Sequence, residues 1–116
     1  MSAPREHPAD PWAFGDSAPV LSAESAGTAA GRAALVQSMT MAAVRARIGE
    51  RGVSQKWVAQ RCEFSDRHLR RIMAGQQWAR LADLVALSQV LDVDLLLLPG
   101  AAGEDGKRRV VRLSEM

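Results

Sequence analysis

Residues 54–75, SQKWVAQRCEFSDRHLRRIMAG, contain two short helical segments that lie almost end to end. Ser54 is an N-cap residue for the first segment, QKWVAQRC, and Ser65 is an N-cap residue for the second, DRHLRRIMA, which ends at Gly75. Only the dipeptide EF separates the first segment from the second cap. Two helices joined so tightly must cross at a steep angle.

That arrangement describes a helix-turn-helix motif, and helices are predicted on both sides of it. Before the motif, the Ala-rich residues 28–51 form one interrupted helix or two, because Gly31 weakens continuity, and Gly52 ends this region with a left-handed turn. After the motif, one helix covers residues 80–91 and a last short helix covers residues 94–98. No strand is needed for the core.

The two ends of the chain have a different composition. Residues 1–27 contain four of the five prolines and no sustained periodicity, so we predict a disordered arm. Within it, Trp12 and Phe14 form an aromatic pair, which is either an anchor or, more simply, part of a collapsed tail. Residues 100–116 begin like a linker and then become basic with β-branched pairs, a pattern that fits an added strand as well as a solvated tail. The predicted domain is residues 28–99.

The positive charges are distributed unevenly along the chain. The net charge is only +2, yet residues 45–80 contain nine Lys or Arg and three acidic residues. Such a local excess is expected of a surface that meets phosphate groups.

Cysteine usage and hydropathy limit the classes of protein that fit. Cys62 is the only cysteine, so an internal disulfide and a Cys-based metal site are excluded, and a reducing compartment fits best. The N-terminus lacks a basic segment followed by an apolar run, and LDVDLLLLP is too short to span a bilayer. Paired carboxylates in a predicted cleft, a Gly-rich phosphate loop and a His partner for Cys62 are all missing. We therefore expect a cytoplasmic protein that is not an enzyme, needs no cofactor or metal and does not enter a membrane.

A set of residues between positions 41 and 98 follows one spacing pattern without a gap. Its members are Ser54, Gln55, Val58 and Ala59 in an S-Q-x-x-[LV]-A pattern, then Phe64, Ser65, Leu69, Ile72 and Gly75, and finally Leu81, Leu84, Leu91 and Val93. This pattern resembles the Cro/C1-type helix-turn-helix family of bacterial and phage repressors, also called the XRE family. The resemblance implies an all-α, compact, five-helix fold like that of lambda repressor.

Three positions depart from the family pattern. Glu63 stands where the family usually has a glycine in the left-handed conformation, and a non-glycine residue there costs about 1 kcal/mol. Ala79 replaces a common proline, and Met73 replaces a frequent glutamate. The turn is still expected to form, with slight strain.

The resemblance implies that the third helix lies in the major groove and that the second helix crosses the DNA backbone. The base contacts expected from it are Asp66, Arg67, His68, Arg70 and Arg71, with Leu69 and Ile72 turned to the core. Arg67 and Arg71 are the first choices, because a guanidinium group meets O6 and N7 of guanine together. Asp66 either accepts from a cytosine amino group or, as we favour, stabilises the helix N-terminus.

The resemblance also implies contacts to phosphates, which position a protein on DNA without choosing the sequence. The expected residues are Gln55, Lys56, Arg45, Gln76, Gln77 and Arg80. For Arg45 and Lys56, an ordinary solvated charge is an equally good reading. Compared with a metal ligand, a phosphate or water contact is the better reading of His68, and Cys62 is an inert core residue in this interpretation.

Two tryptophans raise the question of a protein partner, because large exposed apolar residues often mark an interface. Trp57 takes a position that is usually polar and outward, so it packs under the N-terminal segment, at a dimer contact or against DNA. Trp78 raises the same question, and the C-terminal tail is a third place for a partner. The function expected is that of a nucleoid-associated, sequence-specific transcriptional regulator of the repressor type, binding operator DNA as a homodimer. An antitoxin and a protein-interaction module are the alternatives.

Overall fold

The structure is a computed structural model that describes residues 2–97 and 111–112. Its elements, in chain order, are two 3₁₀ helices (Pro4–Glu6 and Pro11–Ala13), α1 (Ala29–Arg51), α2 (Gln55–Cys62), α3 (Asp66–Met73), α4 (Leu81–Leu91), β1 (Leu96–Leu97) and β2 (Val111–Arg112). The two strands pair antiparallel. The predicted all-α class is confirmed, with four α-helices rather than five among the described residues.

α1 is one continuous helix, so the predicted interruption does not occur. Its N-cap residue is Thr28, whose Oγ1 accepts a hydrogen bond from the Gly31 amide at 2.9 Å. Gly31 does not break the helix but allows close packing, because a Cβ there would lie only 2.0 Å from the Ser25 carbonyl oxygen. The helix ends at Gly52, which has φ of 65° as the sequence predicts.

The helix-turn-helix forms as its caps predict. The Ser54 hydroxyl accepts from the Trp57 amide, and the Ser65 hydroxyl accepts from the His68 amide, both at 3.0 Å. Between the helices, Glu63 has φ of 61°, which is the left-handed conformation expected at this position. The strain of about 1 kcal/mol is offset locally, because the next amide, that of Phe64, donates to the Ala59 carbonyl at 2.8 Å.

All four helices contribute apolar side chains to one core. Leu69 and Ile72 are fully buried, as the sequence predicts for the inner face of α3. The other members of the core are Met41, Val44, Val58, Ala59, Met73, Leu87, Leu91 and Phe14. The core therefore fixes α3 by one face and leaves its opposite face to solvent.

The last short helix predicted over residues 94–98 is wrong. α4 ends at Leu91, Asp92 takes a left-handed conformation with φ of 55°, and Leu96–Leu97 forms a strand instead. The physical reason is a partner distant in sequence, because Leu96 pairs with Arg112 and Leu97 pairs with Val111. Residues 98–110 and 113–116, which include the rest of the predicted tail, lie outside the described residues.

The N-terminal segment, residues 2–27, differs from the disordered arm that its composition predicts. The Phe14 ring is 93% buried beside Gly75, the Arg5 amide donates to the Gly75 carbonyl at 2.9 Å, and the Gly15 amide donates to the Ser38 hydroxyl at 2.8 Å. These contacts offset the entropy of ordering the segment. The prolines reduce that entropy, because each already fixes one backbone angle.

Replacement of Phe14 by Ala should test whether this segment belongs to the folded domain. Removal of a buried ring from the core is expected to lower the free energy of unfolding by ~3 kcal/mol. Chemical denaturation of the full chain measures this change. Val20→Ala is the matched control, because Val20 lies in the same segment but is 75% exposed. Equal stability of the two variants would mean that the segment does not pack on the core.

Candidate nucleic-acid interface

α3 presents a basic face to solvent. Arg67, Arg70, Arg71 and Ala74 recur at the spacing of one helix face, and together with Gln76 they line a shallow groove. Arg67 and Arg70 are exposed and Arg71 is half-buried. The opposite face of the helix carries the buried apolar residues, so the core holds the arginines at the surface.

Among the described residues, the guanidinium groups of this face have no ion-pair partner. Within residues 2–97, none of the arginines at positions 67, 70 and 71 forms an ion pair. Arg47 on α1 is different, because its guanidinium lies 3.2 Å from a Glu50 oxygen and 3.5 Å from an Asp92 oxygen. Unpaired guanidinium groups on a helix held by its other face are available to an anionic partner.

The start of α2 lies beside the start of α3. A second shallow depression is lined by the predicted phosphate contacts Gln55 and Lys56 and by the predicted base contacts Asp66 and Arg70. All four side chains are exposed. The structure therefore brings members of both predicted sets together on one surface.

His68 has a different place from the other predicted base contacts. Its Nε2 lies 3.1 Å from an Asp83 carboxylate oxygen, and its ring packs edge-on against Phe64. Its Nδ1 lies 3.4 Å from the side-chain nitrogen of Gln77. Both ring nitrogens already have protein partners, so His68 positions α3 against α4 rather than reaching outward.

The remaining predicted phosphate contacts lie near the end of α3. The Arg45 guanidinium donates to the Met73 carbonyl at 3.2 Å, which satisfies a backbone group at the helix C-terminus. Gln76 and Gln77 are exposed in the loop that follows, and Arg80 is the N-cap residue of α4 with an exposed side chain. Gln76 is the member of this set that lies directly beside the arginines of α3.

Two buried polar residues that the sequence did not single out hold this surface in place. Gln37 of α1 donates to the Ile72 carbonyl at 2.9 Å and to the Gln77 carbonyl at 3.0 Å, and it accepts from the Ala79 amide at 2.9 Å. Asp83 is 98% buried and accepts from His68 and from the Arg80 amide. Gln37 gave no signal in an Ala-rich segment, and Asp83 looked like an ordinary acid in the first turn of a helix.

The tryptophans predicted to need cover are both partly covered within the chain. The guanidinium groups of Arg51 and Arg61 lie 5.5 Å and 5.0 Å from the centroid of the Trp57 ring. Trp78, and not Trp57, is the one that meets the N-terminal segment. Its indole N–H donates to the Ser2 carbonyl at 2.6 Å, and its ring lies 5.8 Å from that of His7.

A family model described as a helix-turn-helix domain matches residues 39–99, which include the basic face and the turn. The chain belongs to the helix-turn-helix domain family. No curated protein and no solved structure matches it. This membership agrees with the Cro/C1-type resemblance, and it indicates a DNA-binding regulator of a family whose members are typically not enzymes.

Among residues 2–97 and 111–112, His, Cys, Asp and Glu side chains do not come together in a group that could hold a metal ion. No helix in these residues combines the length and the apolar character required to cross a membrane.

Cys62 is half-buried at the end of α2 as a free thiol. Burial raises the pKa of this thiol above its ordinary value, and the Asp83 carboxylate raises it further. The neutral thiol is therefore favoured at neutral pH. This agrees with an inert residue beside the core, because the thiolate is the reactive form.

The pH dependence of Cys62 alkylation should report this environment. We expect the rate of reaction with iodoacetamide to rise at a higher pH in the folded protein than in the same protein in denaturant. Asp83→Asn removes one negative charge and should move the midpoint of the rate–pH profile to lower pH. The midpoint should still lie above that of the denatured protein, because burial is the larger cause. Mass spectrometry of the labelled chain measures the rates. A folded midpoint at or below the unfolded one would contradict the predicted direction.

Proposed function

We propose that this protein is a sequence-specific transcriptional regulator of the repressor type that inserts α3 into the major groove of operator DNA. The observation that carries the proposal is the set of unpaired arginines on the exposed face of α3. A guanidinium group meets two acceptors of guanine at once, so it gives both affinity and sequence preference. Because the proposed partner is genomic DNA, the proposed location is the cytoplasm, at the nucleoid.

The residues divide into two roles in this proposal. Arg67, Arg70 and Arg71 read base edges, and Asp66 supports the N-terminus of α3 electrostatically. Gln55 binds a phosphate at the start of α2, where the first backbone N–H groups also favour an anion. The phosphate contacts that flank it are Lys56, Gln76, Gln77 and Arg80. The partners of His68 and Arg45 within the protein favour positioning roles for these two residues.

Replacements in the two sets should have different effects on DNA binding. The operator is first obtained by selection from random duplexes with the wild-type chain. Arg67→Ala and Arg71→Ala should each weaken binding by ~1–3 kcal/mol and relax preference at particular base pairs. Gln55→Ala should weaken all sequences alike, because a phosphate contact carries no sequence information.

Arg51→Ala is the control for loss of one positive charge, because Arg51 packs on Trp57 outside the α3 face. Binding assays on the selected operator and on point-changed operators measure both effects. Unchanged binding by a chain with both arginines of α3 replaced would overturn the proposed groove contact.

The active form in this proposal is a homodimer. One short helix covers few base pairs, and two copies about 34–36 Å apart would meet successive turns of one DNA face. The run LDVDLLLLP carries more apolar side chains than one small core needs, so the Leu95–Leu98 region is the proposed interface. The C-terminal residues Val110, Val111 and Leu113 are proposed to extend it.

Sedimentation of the full chain should give a dimer at tens of micromolar, and titration should give two copies for each operator. A second chain that ends at Gly100 distinguishes the two parts of the proposed interface. Loss of the dimer only in the shorter chain would assign the interface to the tail. A full-length monomer that binds operator as a single copy would rule the dimer out.

An antitoxin and a protein-interaction module remain the alternative proposals for the same fold. An antitoxin would also bind its own operator, so the DNA measurements do not separate it from a repressor. It differs in having a toxin as a second partner. An interaction module has no need for unpaired arginines on α3, and weak, sequence-independent DNA binding would favour it.

A further inference from the structure

The N-terminal segment carries an aromatic side chain that the domain does not use. Trp12 is 92% exposed, while Phe14, two residues later, is buried in the core. Trp12 lies in a short 3₁₀ helix, and the Asp10 carboxylate accepts its amide hydrogen at 3.0 Å. A large indole that is exposed in the free protein makes little apolar contact there, so its position is explained best by a partner.

The position of this segment is fixed relative to α3. The Arg5 amide donates to the Gly75 carbonyl at 2.9 Å, directly after α3, and the Ser2 carbonyl accepts from the Trp78 indole. The Phe14 ring covers Gly75, where an added Cβ would lie 2.6 Å from the ring. The segment is therefore attached to the loop that follows the arginine-bearing helix.

Trp12 and Arg5 line a half-open cavity of about 670 Å³ that adjoins the basic face of α3. Ala74 and Gln76 line both this cavity and the groove beneath the three arginines of α3. The two surfaces are therefore continuous around the end of the helix. A partner that fills the α3 groove and extends past the C-terminus of α3 meets Trp12 and Arg5 next.

The charge of the cavity matches that of the α3 face. Arg5 and Arg45 contribute positive charge, and Glu6 is the one acidic side chain in its lining. The Glu6 carboxylate is already bound to the Ala3 amide within its own turn. An exposed indole beside guanidinium groups suits a sugar–phosphate chain, because the ring packs on deoxyribose while N–H donors meet phosphate oxygens.

We propose that the N-terminal segment is a second DNA-binding element, in which Trp12 and Arg5 contact the sugar–phosphate backbone beside the base pairs that α3 reads. The inference rests on the proposed function, because it requires α3 to lie on DNA. It adds a contact outside the helix-turn-helix. This contact adds affinity and fixes register without adding base preference.

The test compares two duplexes that carry the selected operator, one ending at the outer base pairs and one longer by about five base pairs at each end, half a helical turn. Wild-type protein should bind the longer duplex more tightly. Trp12→Ala and Arg5→Ala should each weaken binding to the longer duplex about tenfold, as expected for one lost charge-assisted or stacking contact. Each variant should therefore lose most of that advantage. Base preference should stay the same.

Salt dependence identifies the phosphate contact. Arg5→Ala should reduce the slope of log K against log salt by about 1 for each protomer, and Arg5→Lys should restore it. Val20→Ala and Arg61→Ala are the controls, because they remove an exposed apolar side chain and a cation outside the cavity. Both Trp12 and Arg5 are exposed, so their replacement should leave the thermal unfolding midpoint unchanged.

The proposal is overturned if the Trp12→Ala and Arg5→Ala chains bind the longer duplex with the same affinity and the same salt slope as the wild-type chain. The variant with both Arg67 and Arg71 replaced by Ala is measured in parallel. If it loses binding while the N-terminal variants do not, α3 reads DNA without the segment. If neither set has an effect, the proposed function fails as well.

Discussion

The exposed surface of this protein depends on the hydrogen bonds that the side-chain amide of Gln37 makes. This amide is buried on α1 and it makes three hydrogen bonds, to the carbonyls of Ile72 and Gln77 and from the amide of Ala79. These groups belong to the end of α3 and to the loop before α4, so one side chain of α1 holds both. An unsatisfied buried amide is costly, so this loop has one favourable position relative to α1. The arginines of α3 and the site at which the N-terminal segment attaches both follow from that position.

The parts of the fold that local sequence decides were predicted well. Ser54, Ser65, Gly52 and Gly75 act through hydrogen bonds and backbone angles within a few residues of themselves, so their roles can be read directly from the chain. The left-handed Glu63 followed from the family pattern for the same reason. The apolar period of α3 likewise assigned Leu69 and Ile72 to the core.

The features that distant residues decide were predicted only as open alternatives or not at all. The order of the N-terminal segment depends on Phe14 meeting Gly75 and on Ser2 meeting Trp78. The sequence offered Phe14 as one possible anchor and Trp78 as a residue in need of cover, but it did not give their partners. Leu96–Leu97 pairs with Val111–Arg112, although a run of leucines fits a helix equally well. In the candidate site, His68 has the right helical position for a base contact, but a buried acid on α4 takes its ring nitrogen. A one-dimensional pattern gives the face of a helix and not the partners that lie across from it.

Because the arginines of α3 are unpaired, conformational entropy is lost in two stages. The backbone of the helix loses its entropy on folding, and the arginine side chains lose theirs on association. The helix backbone is already ordered by the core, by Gln37 and by the buried Asp83, so a partner does not have to order it. The long side chains keep their rotamer freedom until contact, and each then loses about 0.5–1.5 kcal/mol of entropy. A rigid backbone with adaptable side chains tolerates change in the bound surface better than a network of fixed ion pairs would. The same scaffold can therefore acquire a new preference by substitutions on one helix face, without refolding of the elements behind it.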